Sequence, residues 1–170
     1  EDLRQYVKVP AISTGRRQIL TAKPTDAFKR YQVLLDARIK AIEERDRPPE
    51  PGDDILLSVI TDGRHAAIDL RLVDSDNDNE PENKLNKLIS NAFRIWQETA
   101  ENSYVRPDGK PFELSGAAQM IFSDLGTINV EKARGFSAYR WIRDELIRMG
   151  VPAGQVAFIQ DHKKTEAKQR

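Results

Sequence analysis

The sequence predicts an α/β fold, a parallel strand pair joined as a βαβ unit, preceded by a helical region and a small N-terminal hairpin. Three observations predict it. Residues 117–124, AAQMIFSD, form a short apolar run that ends in polar residues. Val156-Ala157-Phe158-Ile159 forms a second apolar run. Between them, Phe136 to Met149 places Tyr139, Ile142, Leu146 and Met149 at helical spacing, and Gly150 stops it. Strand, helix and strand within about forty residues imply parallel strands with a right-handed crossover. Ligands of such sheets gather at the carboxyl ends of the strands, here Ser123 to Thr127 and Gln160 to Lys164.

The preceding elements follow in order. Gln5 to Val9 alternates polar and apolar residues and stops at Pro10, and Arg17 to Thr21 reads as its antiparallel mate through Ser13-Thr14-Gly15. Lys23-Pro24-Thr25-Asp26 signals a helix start with Thr25 or Asp26 as cap. Phe28, Tyr31, Leu34, Leu35, Ile39 and Ile42 then form one stripe, and Pro48, Pro49 and Pro51 prevent continuation beyond Asp46. Ile55 to Ile60 is ambiguous by period. Asp53 and Asp54 before it favour a helix, because acidic side chains suit a helix N-terminus.

Thr61-Asp62-Gly63 is expected to break that helix and cap a second short one, Arg64 to Leu72. Ala66, Ala67, Leu70 and Val73 would pack inward. Asp69 and Arg71 lie two apart, cannot face each other on a helix, and are expected to pair with other segments. Asp74 to Pro81, DSDNDNEP, reads as an acidic connector. A calcium loop needs Gly and Glu where Asn79 and Leu85 stand. Asn83 to Asn102 carries Leu85, Leu88, Ile89, Ala92, Trp96 and Ala100 at helical spacing, with Trp96 expected in the core. Arg106 to Pro111 is a turn-rich hinge. The expected division is therefore 1–24, 25–105 and 112–170.

Composition narrows the function. Of 170 residues, 27 are Lys or Arg and 27 are Asp or Glu, so nucleic-acid binding would require a local patch. No run approaches the ~18 apolar residues of a spanning helix, so no membrane partner is expected. The absence of cysteine excludes disulfides, thiolate zinc sites and cysteine nucleophiles. Without a signal peptide, the expected compartment is the cytoplasm. The missing initiator Met and abrupt end suggest an excised piece of a longer chain.

No complete active site is spelled out. A phosphate loop of the form GxxxxGK[ST] is absent, and Asp144-Glu145 lies inside a helix rather than at a strand end. His65 and His162 are too few and too far apart for a zinc site. GxSxG is absent, and Phe122 stands where a haloacid-dehalogenase nucleophile would be Asp.

The strings ITDGRHAAIDLRLV, FRIWQETA, QMIFSDLGT and GVPAGQVAFIQDHKKTEAKQR occur in that order. Together they resemble large bacterial and phage proteins that join a Swi/Snf-like DEAD/DEAH-box helicase to an adenine-specific DNA methylase. The resemblance runs from about Tyr6 to Arg170. It implies a partial RecA-like sheet, the start of a P-loop motor's second lobe over 112–170. Ala118 to Asp124 would be the first strand and Phe158 to Arg170 the next strand with its following loop. The region from Thr25 to Asn102 would be a helical insertion between the lobes.

The resemblance also implies DNA, the remaining helicase lobe and the methylase domains as partners. ATP, Mg and S-adenosylmethionine would be cofactors of the parent protein, with none held by this chain. Phosphoryl transfer needs phosphates gripped by one lobe and an arginine finger from the other, and neither motif is present. The chain alone is therefore expected to be inactive. An interaction module that binds protein or DNA is the alternative, and a small phosphatase-like hydrolase built on SDLGT is a third reading.

The candidate DNA contacts are Arg64, Ser123, His162, Lys163 and Lys164, because guanidinium, hydroxyl and ammonium groups at strand and helix ends suit phosphate oxygens. Thr61, Asp62 and Asp124 are expected as structural caps. An incomplete sheet would leave open edges, so self-association is expected.

Overall fold

The computed structural model describes residues 15–106 and 108–161. The expected strand Gln5 to Val9, the turn residues Ser13 and Thr14, and His162, Lys163, Lys164 and Arg170 lie outside them.

The architecture is helical. α1 spans Asp26–Glu43, α2 Leu56–Ala66, α3 Lys84–Thr99, α4 Glu131–Arg134 and α5 Ala138–Arg148. The Thr25 side chain caps α1 by accepting from the Phe28 N–H at 3.1 Å. Asn83 caps α3 through the Asn86 N–H at 2.8 Å, and Ser137 caps α5 through the Arg140 N–H. Each cap satisfies an N–H that has no partner inside its helix.

The core forms where α3 meets α5. Leu85, Ile89 and Ala92 of α3 pack with Ala138, Ile142 and Leu146 of α5, together with Leu72 and Val151. Leu72 is fully enclosed, which is worth roughly 1.5–3 kcal/mol against leaving it in water. Trp96 packs against this core, stacks on Phe93 at 5.7 Å and donates its indole N–H to Gln155. α1 leans on α2 and has no fully buried residue.

The expected parallel sheet is not formed, which corrects the α/β fold class. Among the described residues the β pairing is one isolated antiparallel bridge, Val105 to Pro111. Residues 117–122 are neither strand nor helix, and Met120, Ile121 and Phe122 among them are exposed. Val156 to Phe158 is likewise no strand, and Ile159–Asp161 closes as a single 3₁₀ turn. A two-stranded sheet is marginal without further strands, so each run takes other partners. Gln119 donates to the Ala92 carbonyl at 2.9 Å, and Phe158 stacks on Tyr139 of α5. Residues 17–21 also form no strand, so the hairpin mate is not seen.

The second correction concerns Thr61-Asp62-Gly63. α2 runs straight through these residues, so Thr61 and Asp62 are interior positions and cap nothing. Gly63 has ordinary helical backbone. Its use is proximity, since a Cβ there would lie 3.3 Å from Leu35 of α1. The expected helix Arg64 to Leu72 is instead the end of α2, a bend, and one 3₁₀ turn, Leu70–Leu72.

Asp69 takes extended backbone, φ −161° and ψ 132°, and its carboxylate accepts the Arg71 N–H. That conformation removes the geometric objection to an Asp69–Arg71 pair. The two residues bond to each other, contrary to expectation.

Candidate nucleic-acid interface

Two sequence-distant strings meet on one surface. Arg64, in the last turn of α2, donates to the Asp124 carboxylate from the SDLGT loop. Both side chains are open to solvent, 58% and 73% exposed, so the pair is weak and exchangeable.

The loop carrying Asp124 is fixed from behind. Tyr139 of α5 donates its hydroxyl to the Ser123 carbonyl at 2.7 Å, and the Ser123 hydroxyl donates to the Leu125 carbonyl. Gly126 accepts from both the Tyr139 N–H and the Ser137 hydroxyl. Its φ is +70°, and a Cβ would lie 2.6 Å from the Ala138 Cβ, so only glycine lets this loop sit against α5. Asp124 is therefore a loop residue that pairs with Arg64. It caps no helix, since Ser137 performs that role for α5.

A second set of charges centres on Asp62, two residues before Arg64 in α2 and so turned to another side of that helix. Arg38 of α1 holds Asp54 through two N–H bonds and reaches Asp62 at 3.1 Å. Arg134 bridges Asp62 at 3.5 Å and the Leu72 carbonyl at 2.9 Å. The Arg38 bonds hold the Asp54 carboxyl below its ordinary value, while burial and then the Asp62 charge push the Tyr31 phenol up. Arg38 and Arg134 thus face Asp54 and Asp62, while Arg64 separately faces Asp124.

Arg64 is the guanidinium most easily freed, because its partner is exposed and single. A phosphate oxygen could replace Asp124 and gain a bidentate contact. Ser123 has its hydroxyl engaged within its own loop, so its phosphate contact would require that bond to break. Gly63 lies inside a helix and Gly126 is packed on Ala138, so neither heads a phosphate-cradling loop. Among the described residues, no group of His, Asp or Glu is arranged to hold a metal.

Sequence reasoning missed Arg38, Arg134 and Tyr139. Arg38 carried a signal, being a charge on the α1 stripe beside Leu35, Ile39 and Ile42. Arg134 and Tyr139 carried none, since their partners lie in other segments. Comparison with protein-family models, curated proteins and solved structures finds no match to this chain. No helix among the described residues is long and apolar enough to cross a membrane.

Proposed function

We propose that this chain is a non-catalytic helical part of an ATP-dependent DNA helicase or translocase associated with an adenine-specific DNA methylase. In this reading it docks the remaining motor and lends Arg64 to the DNA backbone. The resemblance of its ordered strings to that family motivates the assignment. The observation that carries it is the exposed apolar segment ending in the SDLGT loop. Met120 is 82% exposed and Phe122 83%. Surface apolar residues grouped this way mark a contact face for another protein segment. Here the segment lies two residues from Asp124, the partner of Arg64, the guanidinium this reading gives to phosphate.

ATP, Mg and S-adenosylmethionine belong, in this reading, to the rest of the parent protein. DNA titration by fluorescence anisotropy tests it. Binding should weaken steeply between about 50 and 200 mM salt as counterions re-form on the phosphates. Salt-independent binding, or none, would remove the DNA-contact role. ATP turnover by the chain alone would remove the non-catalytic one.

A further inference from the structure

α1 has a second face. Phe28, Tyr31, Leu35, Arg38, Ile39 and Ile42 are among its half-buried positions, and α1 packs against α2. Arg30, Leu34, Ala37, Ala41 and Glu44 are exposed and follow one another at steps of four, three, four and three residues. That is the spacing of a helix-pairing seam. Leu34 keeps 59% of its surface open and its neighbour Val33 66%, so the middle of the seam is apolar and uncovered. Small residues, Ala37 and Ala41, allow another helix to approach closely.

The seam is complementary to itself when run antiparallel. Setting Ala37 against Ala37 of a second copy places Leu34 opposite Ala41 and Arg30 opposite Glu44. The two-fold axis then repeats both matches. Large meets small, and base meets acid. A parallel pairing would instead set Arg30 on Arg30 and Glu44 on Glu44, opposing like charges. The Arg30 side chain makes no hydrogen bond or ion pair among the described residues, and its charge acts only weakly on the exposed Asp26 one turn earlier. Glu44 has a 3.7 Å contact to Lys40 with both side chains largely exposed. Both groups are therefore free to exchange partners.

We propose that a second copy of this chain docks on this face, forming an antiparallel α1 pair centred on Ala37. Such a contact is isologous, so it closes as a dimer and does not propagate. A helix of 18 residues is about 27 Å long, which places one helix pair at the small end of interface sizes. The dimer is accordingly weak, and the charge pairs chiefly set its direction.

Sedimentation velocity of the chain from about 10 μM to 1 mM, concentrations that bracket weak affinities, tests the pairing. A monomer–dimer equilibrium is expected. Ala37→Glu, which puts two carboxylates at the axis, should leave only monomer. Arg30→Glu and Glu44→Arg should each weaken dimerisation several-fold, and the double reversal should restore it. The chain has no cysteine, so Ala37→Cys offers a second readout, a disulfide-linked dimer under mild oxidation that Glu43→Cys does not form. Far-UV circular dichroism checks that each variant keeps its helices. A monomer at every concentration would overturn the proposal. So would a dimer indifferent to Ala37→Glu, or a double reversal no better than the single ones.

Discussion

Arg71 folds back onto Asp69, two residues earlier, through a two-pronged bond of 2.9 and 2.8 Å that is buried at both ends. The guanidinium lies between two aromatic rings, 4.3 Å from the Phe136 centroid and 4.1 Å from that of Trp141. Asn83, the cap of α3, donates to the second Asp69 oxygen, and Asn79 accepts from Arg71. This knot ties the 3₁₀ turn to the start of α3 and to α5.

Removing one partner should leave the other charge buried and unpaired. Arg71→Ala or Asp69→Ala is expected to cost about 3–5 kcal/mol in urea unfolding. Arg71→Lys should recover little, because an ammonium can neither fork onto a carboxylate nor stack flat between rings. Replacing both with apolar residues of similar size, Asp69→Leu with Arg71→Met, should cost less than either alanine variant. A double variant as damaged as the sum of the two would contradict this.

Gly126 is expected to be the least replaceable glycine tested. Gly126→Ala meets a left-handed backbone cost of about 1–2 kcal/mol and a clash with Ala138 worth about 1–3 kcal/mol more. Gly52, at φ +96° with open space around it, should show only the backbone cost. Thermal unfolding of the two variants side by side measures the difference.

Arg64 and Asp124 should affect binding more than stability. Either substitution is expected to change stability by less than about 1 kcal/mol, since both groups are largely solvated. Asp124→Asn should tighten DNA binding by removing the carboxylate that competes with phosphate, whereas Arg64→Ala should weaken it. Equal anisotropy curves for Asp124→Asn and the unmodified chain would show that Arg64 is not the contact.

The loop before α2 should resist mild acid. Arg47 and the Glu50 N–H hold the Asp53 carboxyl down at about 2 from an ordinary 3.8. Because the folded value is the lower one, the ionised form favours folding. The contribution is complete above an unfolded pKa of about 4 and is lost as pH falls toward 2. Carboxyl-carbon NMR should report the low value for Asp53, and Arg47→Ala should return it toward 3.8.

Local signals in the sequence sufficed where the structure itself is local. The start of α1 at Thr25, of α3 at Asn83 and the stop at Gly150 follow from capping groups and period within a few residues of each site. Thr61-Asp62-Gly63 misled because Gly next to Asp is turn chemistry in isolation. Here the missing side chain serves the approach of Leu35 from another helix. The Arg64–Asp124 pair was half legible. Each residue stood out in its own string, but nothing local joins positions sixty apart.

By itself, the sequence determined α1 with its Thr25 cap, α3 and α5, since an N-cap oxygen and a 3.6-residue period act over one turn. It also determined the absence of thiol chemistry. Only the tertiary structure decided whether apolar runs become strands. A strand's backbone bonds are made to another segment, and here Gln119 found a backbone carbonyl of α3 and Phe158 a ring of α5 in place of a partner strand. The same holds for Asp69 and Arg71. Two residues apart on a helix they would diverge, but the extended backbone at Asp69 and the rings from α5 and its approach bring them into one buried knot.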